Sequence, residues 1–178
     1  MLKTIFKLFT IFFLILASLT ILKINQNNKI SYNYINNILV KYNHKKDDII
    51  GYIKIDKINL KEELYKIESP ENEVDKNITI LKESIIPPND KSNIYIAAHS
   101  GTGKTAFFDK LDHLTTNDIV ILYLYNKEYI YTVKDIWNEY KNGYIYIPQN
   151  NESNLILTTC NPNKEKLQLI ISCTKKES

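Results

Sequence analysis

From residue 49 onward the chain is a series of short apolar runs broken by clusters of Asn, Asp, Pro and Lys: "IIGYIKID", "INLKEELYKI", "ITIL", "IYIAA", "DIVILYLY", "YIYTVKDIW", "GYIYI", "LILTTC" and "LQLIIS". Runs of this length with period-two alternation, bounded by turn residues, form strands. They do not alternate with helices, which excludes a doubly wound parallel sheet. Seven or eight short strands with one or two helices predict a β-barrel or sandwich. "TAFFDKLDHL" reads as the one short helix, and "SPENEVDKN" as a turn or short helix capped by Ser69 with Pro70 in its first turn. "DIVILYLY" and "YIYTVKDIW" read as a hairpin, as do the last two strands across "NPNKEK"; "GYIYI" is a weak strand ahead of Pro148. Hydrophobic residues make up 44% of the 178, enough for a packed core in a single domain.

The first 25 residues obey different rules. Between Ile5 and Leu22 only Lys7 is charged, and 18 such residues are near the minimum for a membrane span, with Lys7 able to reach the headgroups. This segment is expected to be an uncleaved anchor; a cleaved signal peptide is the rival reading, although no clear small-x-small site follows. Lys3 and Lys7 ahead of the apolar run place the N-terminus in the cytoplasm and the rest outside the cell. The expected organisation is an anchor over 1–25, an Asn/Lys-rich linker over 26–47 that includes a solvated His44, and a β domain over 48–178. The net charge of +3 gives no case for a nucleic-acid partner. All 23 basic residues are Lys, so no guanidinium fork exists anywhere in the chain.

Residues 98–105, "AHSGTGKT", approach the phosphate-loop pattern, with Gly103, Lys104 and Thr105 in place but Ala98 at the first glycine position. The surrounding sequence fails that reading. A phosphate loop needs a parallel sheet behind it and an acidic residue ending a second buried strand; Asp135 follows the half-polar "YTVK". No nucleotide is expected outside a cell either. The same stretch places His99 just beyond a buried strand, and Cys160 ends the apolar strand "LILTTC". Both stand where a strand gives way to a loop, and as a pair they have the chemistry of a thiolate nucleophile with an imidazole proton shuttle. Each taken alone is usually a structural residue.

Taken together, these residues resemble the sortases, membrane-anchored cysteine transpeptidases of Gram-positive bacteria. "IYIAAHS" is similar to the family's strand and His. "ILTTC" matches its T-L-x-T-C motif at four of five positions, with Ile156 for the first Thr; "LDHLTTND" matches L-x-x-L-x-x-G-D with Asn117 for Gly; and "IGYIKIDKINLKEELYKI" is similar to its opening strands. The resemblance covers about residues 49–174. It implies a closed eight-stranded barrel with one or two short helices. It also implies cleavage of an LPXTG-like sorting signal through a thioacyl enzyme, and transfer to an amine on a cell-wall precursor. On this resemblance Cys160 is the nucleophile and His99 the general acid and base, in an enzyme of the class A or D kind. The absence of an obvious upstream lid or of a C-terminal span after "TKKES" speaks against a pilus polymerase.

One family residue is missing. The position of the substrate-holding Arg, eight residues after the Cys, is Gln168. If the last hairpin is centred near Lys164, Gln168 faces Cys160 with Cβ atoms roughly 5 Å apart, and its amide remains a neutral donor. Lys166 is a second candidate for that role. The alternative is a slow or inactive sortase-like surface binding protein. A cysteine protease of another fold is disfavoured, because papain-like enzymes place Cys before His and trypsin-like ones have glycines around the nucleophile. The same register places Cys173 opposite Leu155, about 16 Å from Cys160 and far beyond the roughly 7 Å limit for a bridge, so two free thiols are expected. Thr159 and Ser100 are candidates for substrate positioning, and His113 is a surface residue. The segment 138–154 corresponds to the part that reads the sorting signal in the family. Glu62, Glu63, Glu68 and Glu71 form a solvated acidic stretch similar to calcium sites of some members; neither a metal nor a cofactor is expected. The Asn77 and Asn151 sequon triplets carry no weight in an Asn-rich chain.

Overall fold

A computed structural model describes residues 18, 20, 22–26, 29, 46–88, 92–145, 154–161 and 164–176. The chain divides into two compact units between Asp47 and Asp48. In the first, the described residues 18, 20, 22–26, 29, 46 and 47 are helical. Among the described residues no helix is long and apolar enough to cross a membrane. Most of the expected anchor and linker, including His44, lies outside them.

The second unit has eight strands: β1 (Ile49–Ile55), β2 (Leu60–Tyr65), β3 (Thr79–Ile80), β4 (Asn93–Ala97), β5 (Ile119–Leu124), β6 (Lys127–Tyr140), β7 (Asn154–Cys160) and β8 (Leu167–Lys175). They form one sheet in the order β2-β1-β5-β6-β8-β7-β4-β3. Every pairing is antiparallel except β4 with β7, which run parallel. The end strands β2 and β3 touch, and among the described residues no ladder joins them, so the barrel is nearly closed. Alternation fills its interior: Ile53, Leu64, Ile94, Ile96, Leu122 and Ile171 are fully buried.

Local chemistry explains the turns. β5 passes to β6 through Tyr125 and Asn126, with φ of 49° and 64°, the two positive angles of a type I′ hairpin turn. β6 runs on to Tyr140 because a bulge between Val133 and Asp135 takes up the break in its alternation. Asn117, where the resemblance puts Gly, has φ 73°; Asn tolerates this left-handed conformation better than other side chains. The expected helix over 105–114 is instead a series of turns ending in a 3-10 turn, Leu111–His113. The reason is visible in its core contacts: Phe108, Leu111 and Leu114 are buried, and that strict three-residue spacing suits a 3-10 winding rather than a 3.6-residue period. The segment after Ser69 is likewise a set of turns, with the Ser69 hydroxyl accepting from the Glu71 N–H at 3.2 Å. Residues 143–145 of the expected "GYIYI" strand are irregular, and 146–147 lie outside the described residues.

Asp118 fastens the approach to β5. Its carboxylate accepts from Lys57 Nζ at 2.7 Å, from the Thr115 N–H at 2.6 Å and from the Thr115 hydroxyl at 3.1 Å. Partial burial pushes its pKa up, but the bonds from Lys57 and Thr115 outweigh that and hold it below the ordinary carboxylate range. Asp118→Ala is expected to lower the unfolding free energy at neutral pH by about 1 kcal/mol. Because the folded-state pKa is depressed, this stabilisation is present above the unfolded value of about 3.9 and is lost as pH falls through the folded one. Urea unfolding of both proteins should therefore show a gap at pH 7 that closes in acid.

Candidate active site

The parallel pairing of β4 and β7 brings His99 and Cys160 together. Ala97 is registered with Thr158, and two residues further along each chain lie His99 and Cys160. The pairing continues past the ladder: the Ala98 N–H donates to Thr158 O at 3.4 Å, the Thr159 hydroxyl to Ala98 O at 2.7 Å, and the Ser100 hydroxyl to Cys160 O at 2.7 Å. On the far side of Cys160, β8 places Gln168 in direct register with it, and β6 places Glu139 in register with Gln168. His99, Cys160, Gln168 and Glu139 thus cross one end of four adjacent strands. The last hairpin has the register expected from sequence, including Cys173 opposite Leu155.

Each side chain is differently held. Cys160 is exposed. His99 has its side chain 41% exposed, its carbonyl accepts from the Phe108 N–H at 2.9 Å, and its Nε2 lies 2.8 Å from Asp75 Oδ1. Gln168 is half-buried and donates from Nε2 to Tyr144 O at 3.2 Å. Glu139 accepts from the Trp137 indole at 2.8 Å. Thr159 is buried, with its hydroxyl given to β4. Lys166 is exposed in the turn before β8, and its carbonyl accepts from the Lys141 N–H at 3.0 Å. Cys173 is a buried free thiol whose pKa burial pushes up to about 12. His113 is exposed at the end of the 3-10 turn.

A cleft of about 490 Å³ is lined by Leu81, Glu83, Tyr95, Gly143, Tyr144 and Ile145, and the Tyr144 carbonyl is the one that accepts from Gln168. Three of its lining residues, Gly143, Tyr144 and Ile145, come from the segment that follows β6, which begins after Tyr140 rather than at residue 138. The loop after His99 carries Gly101 and Gly103 and leads into turns, so no helix N-terminus faces Lys104, which is exposed. Of the acidic run, Glu63 accepts from the Tyr65 hydroxyl at 2.8 Å, and burial together with Glu63 pushes the Glu62 carboxyl pKa up. Among the described residues no three His, Cys, Asp or Glu side chains are grouped to hold a metal ion.

A sortase-domain family model matches residues 53–176. The chain belongs to the sortase family. By that membership it is a cysteine transpeptidase of cell-wall sorting. Its fold is similar to that of sortase C from Streptococcus pneumoniae, at 23% identity and a TM-score of 0.65 over 74% of this chain and 70% of that one. Sortase A from Corynebacterium diphtheriae, a lid mutant, gives 20% identity and a TM-score of 0.64 over 73% and 71%. Sortase C from Clostridium perfringens, solved with the C-terminal cell wall sorting motif, gives 22% and 0.62 over 74% and 72%. No curated protein matches the sequence. Sequence reasoning about this sortase missed Asp75, and reached Glu139 and Tyr144 only as unnamed members of the segment 138–154. No spacing rule would have found Asp75, which reaches His99 from an irregular loop.

Proposed function

We propose that this sortase is held in the membrane by residues 1–25, with its N-terminus cytoplasmic and its barrel outside the cell. It acts there on an LPXTG-like sorting signal of surface proteins. The single observation that supports this reading is the placement of His99 and Cys160 two residues beyond the Ala97–Thr158 pair of β4 and β7, with Gln168 in register with Cys160. The Cys160 thiolate attacks the carbonyl carbon of the signal's Thr. His99 gives a proton to the departing Gly nitrogen as the C–N bond breaks, leaving a thioacyl enzyme. An amine of a cell-wall precursor then attacks the thioester, His99 takes its proton, and the C–S bond breaks to restore the thiolate. Gln168 supplies a neutral amide donor toward the developing oxyanion, in place of the guanidinium that a chain without Arg cannot offer. Thr159 and Ser100 act from behind: their hydroxyls tie β4 and its loop to β7, which keeps His99 alongside Cys160. The cleft at Tyr95 and Tyr144 is the seat of the signal. The class A or D assignment belongs to this reading too.

Incubating the chain with an LPXTG-like peptide, without an amine, should give a thioacyl mass increment on Cys160 and none on Cys173. Absence of any Cys160 adduct would refute the reading. A second reading, a weakly active sortase-like surface binding protein, is favoured by one feature: the Gln168 amide already donates to Tyr144 O. Gln168→Ala separates the two. If Gln168 supplies an oxyanion donor, its loss should slow thioacylation by about 10- to 100-fold, somewhat less than loss of a full oxyanion-hole donor. An unchanged rate removes Gln168 from the machinery.

A further inference from the structure

We infer that Asp75 is a positioning residue for His99, one that fixes which imidazole nitrogen moves the proton. The inference rests on His99 being the acid and base of the proposed reaction. Its Nε2 lies 2.8 Å from Asp75 Oδ1. A carboxylate at that distance requires Nε2 to carry the hydrogen, since an unprotonated nitrogen and a carboxylate are both acceptors. Neutral His99 therefore has its lone pair on Nδ1, and Nδ1 is the atom that takes the proton of the incoming amine and returns it to the departing one. A second bond to the ring's other nitrogen is the usual way in which a His tautomer and orientation are set.

The fold brings Asp75 to this place by construction. β3 and β4 are antiparallel, with Thr79 registered against Ala97. Four residues before Thr79 and two after Ala97, the chain carries Asp75 and His99 to the same end of that pair. The intervening loop is built as a platform. The buried Asn72 amide grips β3 from both sides, accepting from the Ile80 N–H and donating to Ile80 O, each at 2.8 Å, and it donates to Ile67 O at 3.2 Å. Next to Asp75, the Lys76 and Asn77 N–H groups both donate to Glu73 O at 2.9 Å, and the Asn77 amide donates to Glu71 O at 2.9 Å. The His99 backbone is pinned separately by Phe108. With backbone and loop both fixed, the Asp75 bond holds the remaining freedom, rotation of the imidazole.

The test compares the full chain as wild type, Asp75→Ala and Asp75→Asn, using two readouts. In 15N-histidine-labelled protein, the His99 signals are assigned by their loss in His99→Gln. Neutral His99 should be protonated at Nε2 in the wild type and in Asp75→Asn, whose amide oxygen still accepts, and should become a mixture of tautomers in Asp75→Ala. Thioacylation kcat should fall about 3- to 10-fold in Asp75→Ala, the range that one partly exposed hydrogen bond supports, with KM unchanged and most of the loss recovered in Asp75→Asn. Asp75 is exposed, so unfolding midpoints should agree among the three proteins. A wild-type tautomer protonated at Nδ1, a tautomer unmoved in Asp75→Ala, or an unchanged kcat overturns the inference. A wild type that forms no thioacyl enzyme refutes the proposed function instead, and the tautomer readout alone then decides the role of Asp75.

Discussion

His99→Ala is expected to slow thioacylation of Cys160 by about 100- to 10,000-fold, the usual contribution of a positioned general acid or base. In the proposed reaction His99, carried just past the β4–β7 ladder as Cys160 is, gives the proton, and expelling the Gly amine without a proton donor leaves a very poor leaving group. Rapid-quench mass spectrometry with an LPXTG-like peptide measures the effect directly. Lys104→Ala is the control from the same loop. Its side chain is exposed, and a surface substitution of this kind should keep the rate within about twofold. Equal losses in the two variants would show that the loop as a whole, rather than the imidazole, carries the activity.

The second large effect falls on stability, at Gly51. Here β1 bulges between Ile49 and Gly51 and passes so close to β5 that a Cβ on Gly51 would stand 1.6 Å from Tyr123 O and 2.7 Å from its carbonyl carbon. Both are backbone atoms inside a ladder, so no side chain can swing aside to make room. Gly51→Ala must therefore separate β1 from β5, and should cost about 3 to 5 kcal/mol. Gly103, with φ 153° and no atom within 4 Å of an added Cβ, provides the comparison: Ala there meets only the conformational penalty, about 1 to 2 kcal/mol. Urea denaturation of the two variants separates crowding from conformation. If Gly51→Ala proves no worse than Gly103→Ala, the close approach is not what glycine serves.

Much of this molecule could be read from its sequence, for reasons that differ by element. Period-two runs gave β1, β2, β4 and β5, where one face lies in the barrel interior and the pattern records that burial, whereas β7 and β8 are buried on both faces and were legible as short continuous apolar runs bounded by turn residues. The last hairpin was legible in register as well, since a short turn near Lys164 fixes every pair from Cys160–Gln168 to Leu155–Cys173. The last three residues of β6 were not, because "NEY" does not alternate and nothing in its pattern extends the strand past Trp137. The helix expected over 105–114 failed because amphipathic spacing of three and of three-and-a-half residues look alike over ten positions. At the site, His99, Cys160 and Gln168 stood out through residue type and motif. Asp75 did not, because irregular loops place side chains through bonds such as those of Asn72, which no local pattern encodes.

The parallel seam between β4 and β7 sets a limit on how this site can be adjusted. Adjacent strands are about 4.8 Å apart whatever their side chains, so the spacing between the backbones that carry imidazole and thiol is a lattice constant of the sheet. Substitutions in the core can change how firmly that lattice holds together, but they cannot lengthen or shorten it. Fine tuning of the distance over which a proton travels is left to side-chain rotation, and for His99 that dial is turned from outside the seam, by a carboxylate on a neighbouring loop.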